Sequence, residues 1–368
     1  MGVTINPAMI TIARESRGMS QADLAEKMNI SQGKLSKYEN GLLCVSGDDL
    51  NSMSRVLVYT TDFFVQTDKI YGLGSSFLFN RKRKTAPVLV QRRIQAMVNI
   101  LRMQVDRLLR AVEMAPPKEF KPIDIEDHDG DAEKIARLVR AGWSIPEDRP
   151  IASVTRAIED AGGLILKCAF DTRAIDAVHL WLPDLPPLFF VNRDLPGDRL
   201  RWTLAHEIGH AIMHRQPTGD VEAEANSFAS EFLLPRRAIE RHLSGLNLQK
   251  AAVLKQEWKV SMAAIIMRAR DLGCVTERKA QSLFMHLGVV GRIEEPFPIG
   301  VEEPENILKL VELHRRELGY NDIDLARLLF TPDPQFFSSS GTPTLLHVGD
   351  EPFFAFIAAK PHERRLSM

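Results

Sequence analysis

Apolar residues recur at helical spacing over most of the chain, interrupted in one central stretch by short runs of another period. Near the start, Pro7 suits the first turn of a helix with apolar positions Ile10, Ile12 and Ala13, which Arg17-Gly18-Met19 breaks. Ser20 caps a second helix from Gln21 to Met28. Its Ala22, Leu24, Ala25 and Met28 are spaced for one buried face, and Asp23, three residues past the cap, completes the pattern of a capping box. Asn29-Ile30-Ser31 turns, and Ser31 caps a third helix that runs to Asn40 and is closed by Gly41. Two short helices, a tight turn and an outer face of Gln32, Gly33, Lys34, Ser36 and Lys37 make a helix-turn-helix. After Pro87 a long periodic helix passes through Ile94, Met97, Ile100, Leu101, Val105, Leu108 and Leu109. It reads equally as a dimer helix or as one packed on the next domain.

Pro116-Pro117, Pro122 and the acidic stretch Asp124 to Asp131 mark a boundary, after which Ala132 to Ala141 is amphipathic. From Gly162-Gly163 the period changes. Leu164-Ile165-Leu166, Val178 to Trp181 and Leu188 to Val191 are short apolar runs bounded by Asp, Pro and Gly, which suits three strands of a small sheet. The strand ending at Asn192 is expected to offer its edge to an extended peptide. Helical spacing returns at Asp198, and Ala251 to Trp258, Met262 to Leu272 and Ile307 to Leu318 each show an apolar face. Thr344 to Ala359 alternates like a hairpin around Gly349-Asp350.

Composition adds limits. A length of 368 residues suits two or three domains. With 45% hydrophobic and 26% charged residues, the chain has the composition of neither a disordered polyelectrolyte nor a membrane protein. Net charge is -1, from 47 basic and 48 acidic side chains, so nucleic-acid binding has to come from a local patch such as Arg81-Lys82-Arg83-Lys84. Cys44, Cys168 and Cys274 form no CxxC pair, which argues against a disulfide framework or a thiolate zinc site. No secretory leader and no apolar run of ~18 residues is visible, so a cytoplasmic location without membrane contact is expected.

The chemistry concentrates in His206-Glu207-Ile208-Gly209-His210, an H-E-x-x-H inside the helical run Arg199 to His214. Four-residue spacing puts both imidazoles on one face, where each can give a nitrogen to Zn²⁺. H-E-x-x-H also arises by chance. Here an amphipathic helix carries it, and a carboxylate-bearing helix follows. A third ligand is required, and that helix offers Glu222 and Glu224, about 160° apart on a wheel. Glu222 is preferred, because Asn226 one turn on can orient a ligand histidine; Glu224 is the second choice. Glu207 lies beside the ligand line, where a carboxylate can take a proton from an attacking water and return it to a leaving amine. His214, one further turn on, suits a capping or packing role better than a ligand role. His179, His214 or an arginine is available as an oxyanion donor, and spacing does not choose among them.

Arg199 to His210, followed by Glu222-x-Glu224-Ala225-Asn226-x-Phe228-Ala229-x-Glu231-Phe232-Leu233-Leu234-Pro235, resembles the ImmA/IrrE family of bacterial zinc metallopeptidases. The likeness extends over roughly residues 130 to 290. It implies metal ligation by His206, His210 and Glu222, Glu207 as the base, and cleavage of repressor proteins that releases mobile-element or stress-response genes. Residues 8 to 65 separately resemble the repressor-like helix-turn-helix of phage and xenobiotic-response regulators, through Met19 to Ala25 and Ser31 to Gly41.

The expected fold class is α+β, mainly helical and multidomain. A five-helix-type helix-turn-helix spans 1–68 and a basic, helical linker 69–125. A zincin-like peptidase domain spans 126–290, and a helical C-terminal region of unplaced role spans 291–368. Double-stranded DNA would be met by Gln32 and Lys34 at base edges and by Gln21, Ser36 and Lys37 at phosphates or bases. A homodimer is expected, since one such module contacts few phosphates. Two histidines and a glutamate also accept Mn²⁺ or Fe²⁺. The function expected is a DNA-tethered zinc endopeptidase acting on a repressor or on itself. The alternative is a regulator or antitoxin-like protein that uses the peptidase fold as a sensor.

Overall fold

Four short helices begin the chain, each capped by a side chain just ahead of it. Asn6 caps α1 (Pro7–Ser16), and Ser20 with Asp23 closes a full capping box on α2 (Gln21–Lys27). Ser31 caps α3 (Gln32–Glu39) and Ser46 caps α4 (Gly47–Leu57). In place of a fifth α-helix, a 3-10 turn spans Thr61–Val65. Met9, Ile12, Leu24, Leu35, Tyr38, Met53 and Phe63 form the core of this head. The structure, a computed structural model, describes residues 4–72, 86–214, 220–290 and 295–331. The basic run Arg81 to Lys84 and the hairpin expected between Thr344 and Ala359 lie outside them.

The long helix α5 (Val88–Leu109) belongs to two cores. Ala96, Ile100, Met103 and Leu108 pack into the head, whereas Ile94, Met97, Val98, Leu101 and Val105 pack on the sheet. The stretch read as a linker therefore contains a helix buried on two sides, and neither of the single partners read from its periodicity accounts for that.

The sheet comprises β1 (Leu164–Cys168), β2 (Ala177–Leu180) and β3 (Leu188–Asn192), in the order β1-β3-β2. β1 runs parallel to β3 and β2 antiparallel to it, with Leu166 and Val178 both opposite Phe190. β3 is buried along its whole length, as a strand covered on both faces should be. Alternation sorts the side chains: Leu164, Leu166, Val178 and Phe190 face α5, while Ile165, Ala177, Phe189 and Val191 face the helical core. The central position of β3 corrects the expectation that the strand ending at Asn192 offers an edge. Both its sides are already paired, and the edges of the sheet are β1 and β2.

That helical core comprises α6 (Ala132–Gly142), α7 (Val154–Asp160), α8 (Gly197–Met213), α9 (Val221–Leu233), α10 (Arg236–Leu243), α11 (Leu248–Trp258), α12 (Met262–Asp271) and α13 (Glu277–Val290). Residues 295–305 then cross it as a strap. Glu295 accepts from Lys255 Nζ at 2.9 Å and from the Met262 backbone N–H at 2.8 Å. Glu302 accepts from Ser153 Oγ at 2.8 Å, from the Thr155 N–H at 2.7 Å and from the buried Arg201 guanidinium. Glu159 accepts from the N–H groups of Glu305 and Asn306 at 2.7 and 2.6 Å, at the start of α14 (Asn306–Arg316). From α14 and from α15 (Asp322–Leu328) with the residue that follows it, Val311, Leu325 and Leu329 enter the core of the head. The C-terminal region thus runs from the sheet domain back to the head.

Candidate metal centre

Helix α8 carries His206 and His210 one turn apart, with their Nε2 atoms 3.0 Å from each other. From α9, the Glu222 carboxylate brings Oε1 to 3.3 Å from His210 Nε2 and Oε2 to 3.7 Å from His206 Nε2. Donors bonded at 2.0–2.1 Å to one tetrahedral ion stand about 3.3–3.4 Å apart, so the three groups converge to within a few tenths of an ångström of what a divalent cation requires. Among the described residues they are the one cluster of at least three His, Cys, Asp or Glu whose ligand atoms converge in this way. Gly209 permits the approach of the two helices. A Cβ there would lie 3.1 Å from Phe228 Cδ1 and 3.2 Å from its Cβ, and Phe228 is fully buried.

The far nitrogen of His206 is held from α9 directly, and that of His210 through His214 at the end of α8. His206 Nδ1 lies 3.1 Å from Asn226 Oδ1. His210 Nδ1 lies 2.8 Å from His214 Nδ1, and His214 Nε2 lies 2.8 Å from Glu224 Oε2. Glu224 therefore faces His214, while Glu222 faces the Nε2 pair. His214 does end α8, yet its ring turns inward. Burial pushes its imidazole below the usual histidine range, against the upward pull of the Glu224 hydrogen bond.

Glu207, fully buried, extends toward the sheet, where its Oε2 meets Nδ1 of His179 on β2 at 2.7 Å. The His179 and His210 rings lie nearly parallel with centroids 6.2 Å apart. The sequence offers His179 as one of several oxyanion donors; the structure sets it against the glutamate of the motif. Glu231, also on α9, stands away from the cluster, paired with Arg268 and accepting from the Arg236 N–H at 3.0 Å. Its carboxyl is raised above the usual range by burial.

In the head, the residues proposed for DNA divide into two sets. Gln32 and Lys37 are exposed on α3. Lys34 Nζ lies 2.7 Å from Asp49 Oδ2, which also accepts from Tyr38 OH at 2.6 Å. Gln21 Nε2 donates to Glu39 Oε2 at 2.9 Å, and Ser36, half-buried, accepts at its carbonyl from Asn40 Nδ2 at 2.7 Å. Gln21 and Lys34, both partly exposed, thus each carry a partner within the head.

A mixed three-stranded sheet thus lies against a helix that bears H-E-x-x-H, with an acidic helix behind it, in a domain joined to a helix-turn-helix head. Residues 158–270 match the IrrE N-terminal-like domain, a peptidase family, and residues 10–64 match the helix-turn-helix family. The chain is a fusion of these two domains. No curated protein matches it. Among the described residues no helix is long and apolar enough to cross a membrane.

Proposed function

We propose that the chain is a metal-dependent endopeptidase held at DNA by its head, and that it cleaves a transcriptional regulator, either a repressor or a second copy of itself. The observation that carries this reading is the placement of Glu207 between the imidazole pair and an edge strand, with its carboxylate held by His179 on that strand. His206, His210 and Glu222 would hold Zn²⁺, and the same donor set accepts Mn²⁺ or Fe²⁺. When bound, the ion supplies polarisation of a carbonyl and lowers the pKa of water toward ~7.

The remaining steps belong to the chain itself. Glu207 takes the proton of the attacking water and passes it to the leaving amine. His179 fixes which oxygen of Glu207 is turned away from the substrate, and Asn226 fixes the ring of His206. An extended peptide gains main-chain hydrogen bonds by adding to the outer side of β2. Gln32 and Lys37 contact DNA, and this brings the peptidase to regulators bound nearby.

The test uses the full chain. Zinc content is measured on purified protein, and a repressor encoded beside it is followed for cleavage on co-expression. Glu207→Gln is expected to keep the metal and to lose cleavage and gene induction together. Induction that survives Glu207→Gln would reject proteolysis in favour of a regulator or antitoxin-like protein that uses this fold as a sensor.

A further inference from the structure

The line from Glu224 through His214 to His210 carries an inference about proton placement that rests on the metal reading above. His210 Nε2 faces His206 Nε2 and Glu222, so to give a lone pair there while neutral, its hydrogen must sit on Nδ1. A contact of 2.8 Å between two Nδ1 atoms needs a hydrogen on one and a lone pair on the other. His214 then accepts at Nδ1 and carries its own hydrogen on Nε2. Glu224 Oε2 stands 2.8 Å from that Nε2 as the acceptor. Every hydrogen along the line is accounted for in one arrangement, and the reverse arrangement would put a hydrogen on the nitrogen that faces the metal position. His210 and His214 are 1% and 5% exposed, so water is a poor substitute for either partner.

We propose that Glu224 and His214 are positioning residues which, through two consecutive hydrogen bonds, fix the tautomer and ring orientation of His210 for metal binding. The relay gives Glu224 a role distinct from that of Glu222, although the two are separated by a single residue of one helix. Asn226 serves His206 in the corresponding way from the same helix.

Zinc affinity of the full chain, measured by competition with a chromophoric chelator, tests the relay. Glu224→Gln and His214→Ala are each expected to weaken binding ~10–100-fold, the range typical for loss of a partner behind a ligand histidine. The double variant is expected to be little weaker than either single one, because both break the same line. Glu222→Ala, which removes a ligand, is expected to lose more affinity than either. Nitrogen NMR of the metal-free protein should show His210 with its hydrogen on Nδ1, and a mixture of tautomers in Glu224→Gln, a change that loss of packing alone would not produce. Glu224→Gln is nearly isosteric, so the test stands even if His214→Ala fails to fold. Tight zinc binding that both Glu224→Gln, which can still accept from His214, and Glu224→Leu, which cannot, leave unchanged would overturn the relay alone. A deeper loss for Glu224→Gln than for Glu222→Ala would overturn it by making Glu224 the ligand. Absence of zinc binding by the unaltered chain would overturn the underlying metal reading.

Discussion

A lysine on a recognition helix need not be available to DNA. Lys34 points from α3 toward Asp49, and that carboxylate also accepts from Tyr38 and Ser46. Lys37, a turn further on, remains exposed. Lys37→Ala is therefore expected to weaken binding about equally on all sequences and to reduce the salt slope by about 1. Lys34→Ala should reduce that slope by less, since its ammonium already pairs with Asp49 in the free protein. Fluorescence anisotropy at several salt concentrations separates the two. The His206 and His210 pairing was legible because four-residue spacing on a helix places both rings whatever surrounds them. His179 was not legible as the partner of Glu207, because that bond joins residues 28 apart through the packing of β2 on α8. The choice between Glu222 and Glu224 likewise depends on how α9 is rotated, which a helical wheel leaves open. Arg268 illustrates a buried charge at this scale, since it pairs with Glu231 and both are 1% exposed. Arg268→Met should lower stability by up to about 3 kcal/mol, because the buried Glu231 would keep only Arg137 at 3.5 Å and the Arg236 N–H as partners, and thermal unfolding reads the loss.

At the scale of elements, helix starts were the most legible feature, since Ser20 and Ser31 act on backbone N–H groups three residues away. The three strands were also visible, because a short apolar run bounded by Gly, Pro or Asp is a local signal. Helix α7 escaped notice. Its seven residues include the buried polar Thr155 and Glu159, whose partners lie about 150 residues further along the strap. Glu159 also links this scale to pH. Burial raises its carboxyl above the usual glutamate range, against the downward pull of the N–H groups of Asn306 and Glu305. As pH rises from the ordinary value of ~4.3, the folded protein retains a proton that the unfolded chain has released, and stability falls until the folded-state pKa is passed. Glu159→Gln keeps an acceptor for both N–H groups and should remove this part of the fall, which unfolding midpoints of the two proteins across that window will show. Gly209→Ala is expected to push α8 and α9 apart at Phe228, with a loss of about 1–3 kcal/mol and weaker metal retention.

For the whole molecule, the C-terminal region was the least legible part, because a strap held by carboxylates has no period of its own. Glu302 joins three groups of the sheet domain, among them Arg201 on the helix of the metal centre, which is fully buried. Glu302→Ala would leave that guanidinium uncompensated, at a cost of about 3–5 kcal/mol. Faster limited proteolysis between residues 295 and 306 should accompany the lower unfolding temperature. The same strap leads into α14 and α15, where Gln104 of α5 donates to the Leu329 carbonyl at 2.9 Å. Two separate stretches of chain, α5 and the C-terminal return, therefore pass between head and sheet domain. Under the function proposed above, a single tether would let the peptidase domain sweep a volume around a head anchored on DNA. The double crossing would act more like a ruler, bringing a protein on the same duplex within reach at some spacings along the groove and sparing it at others.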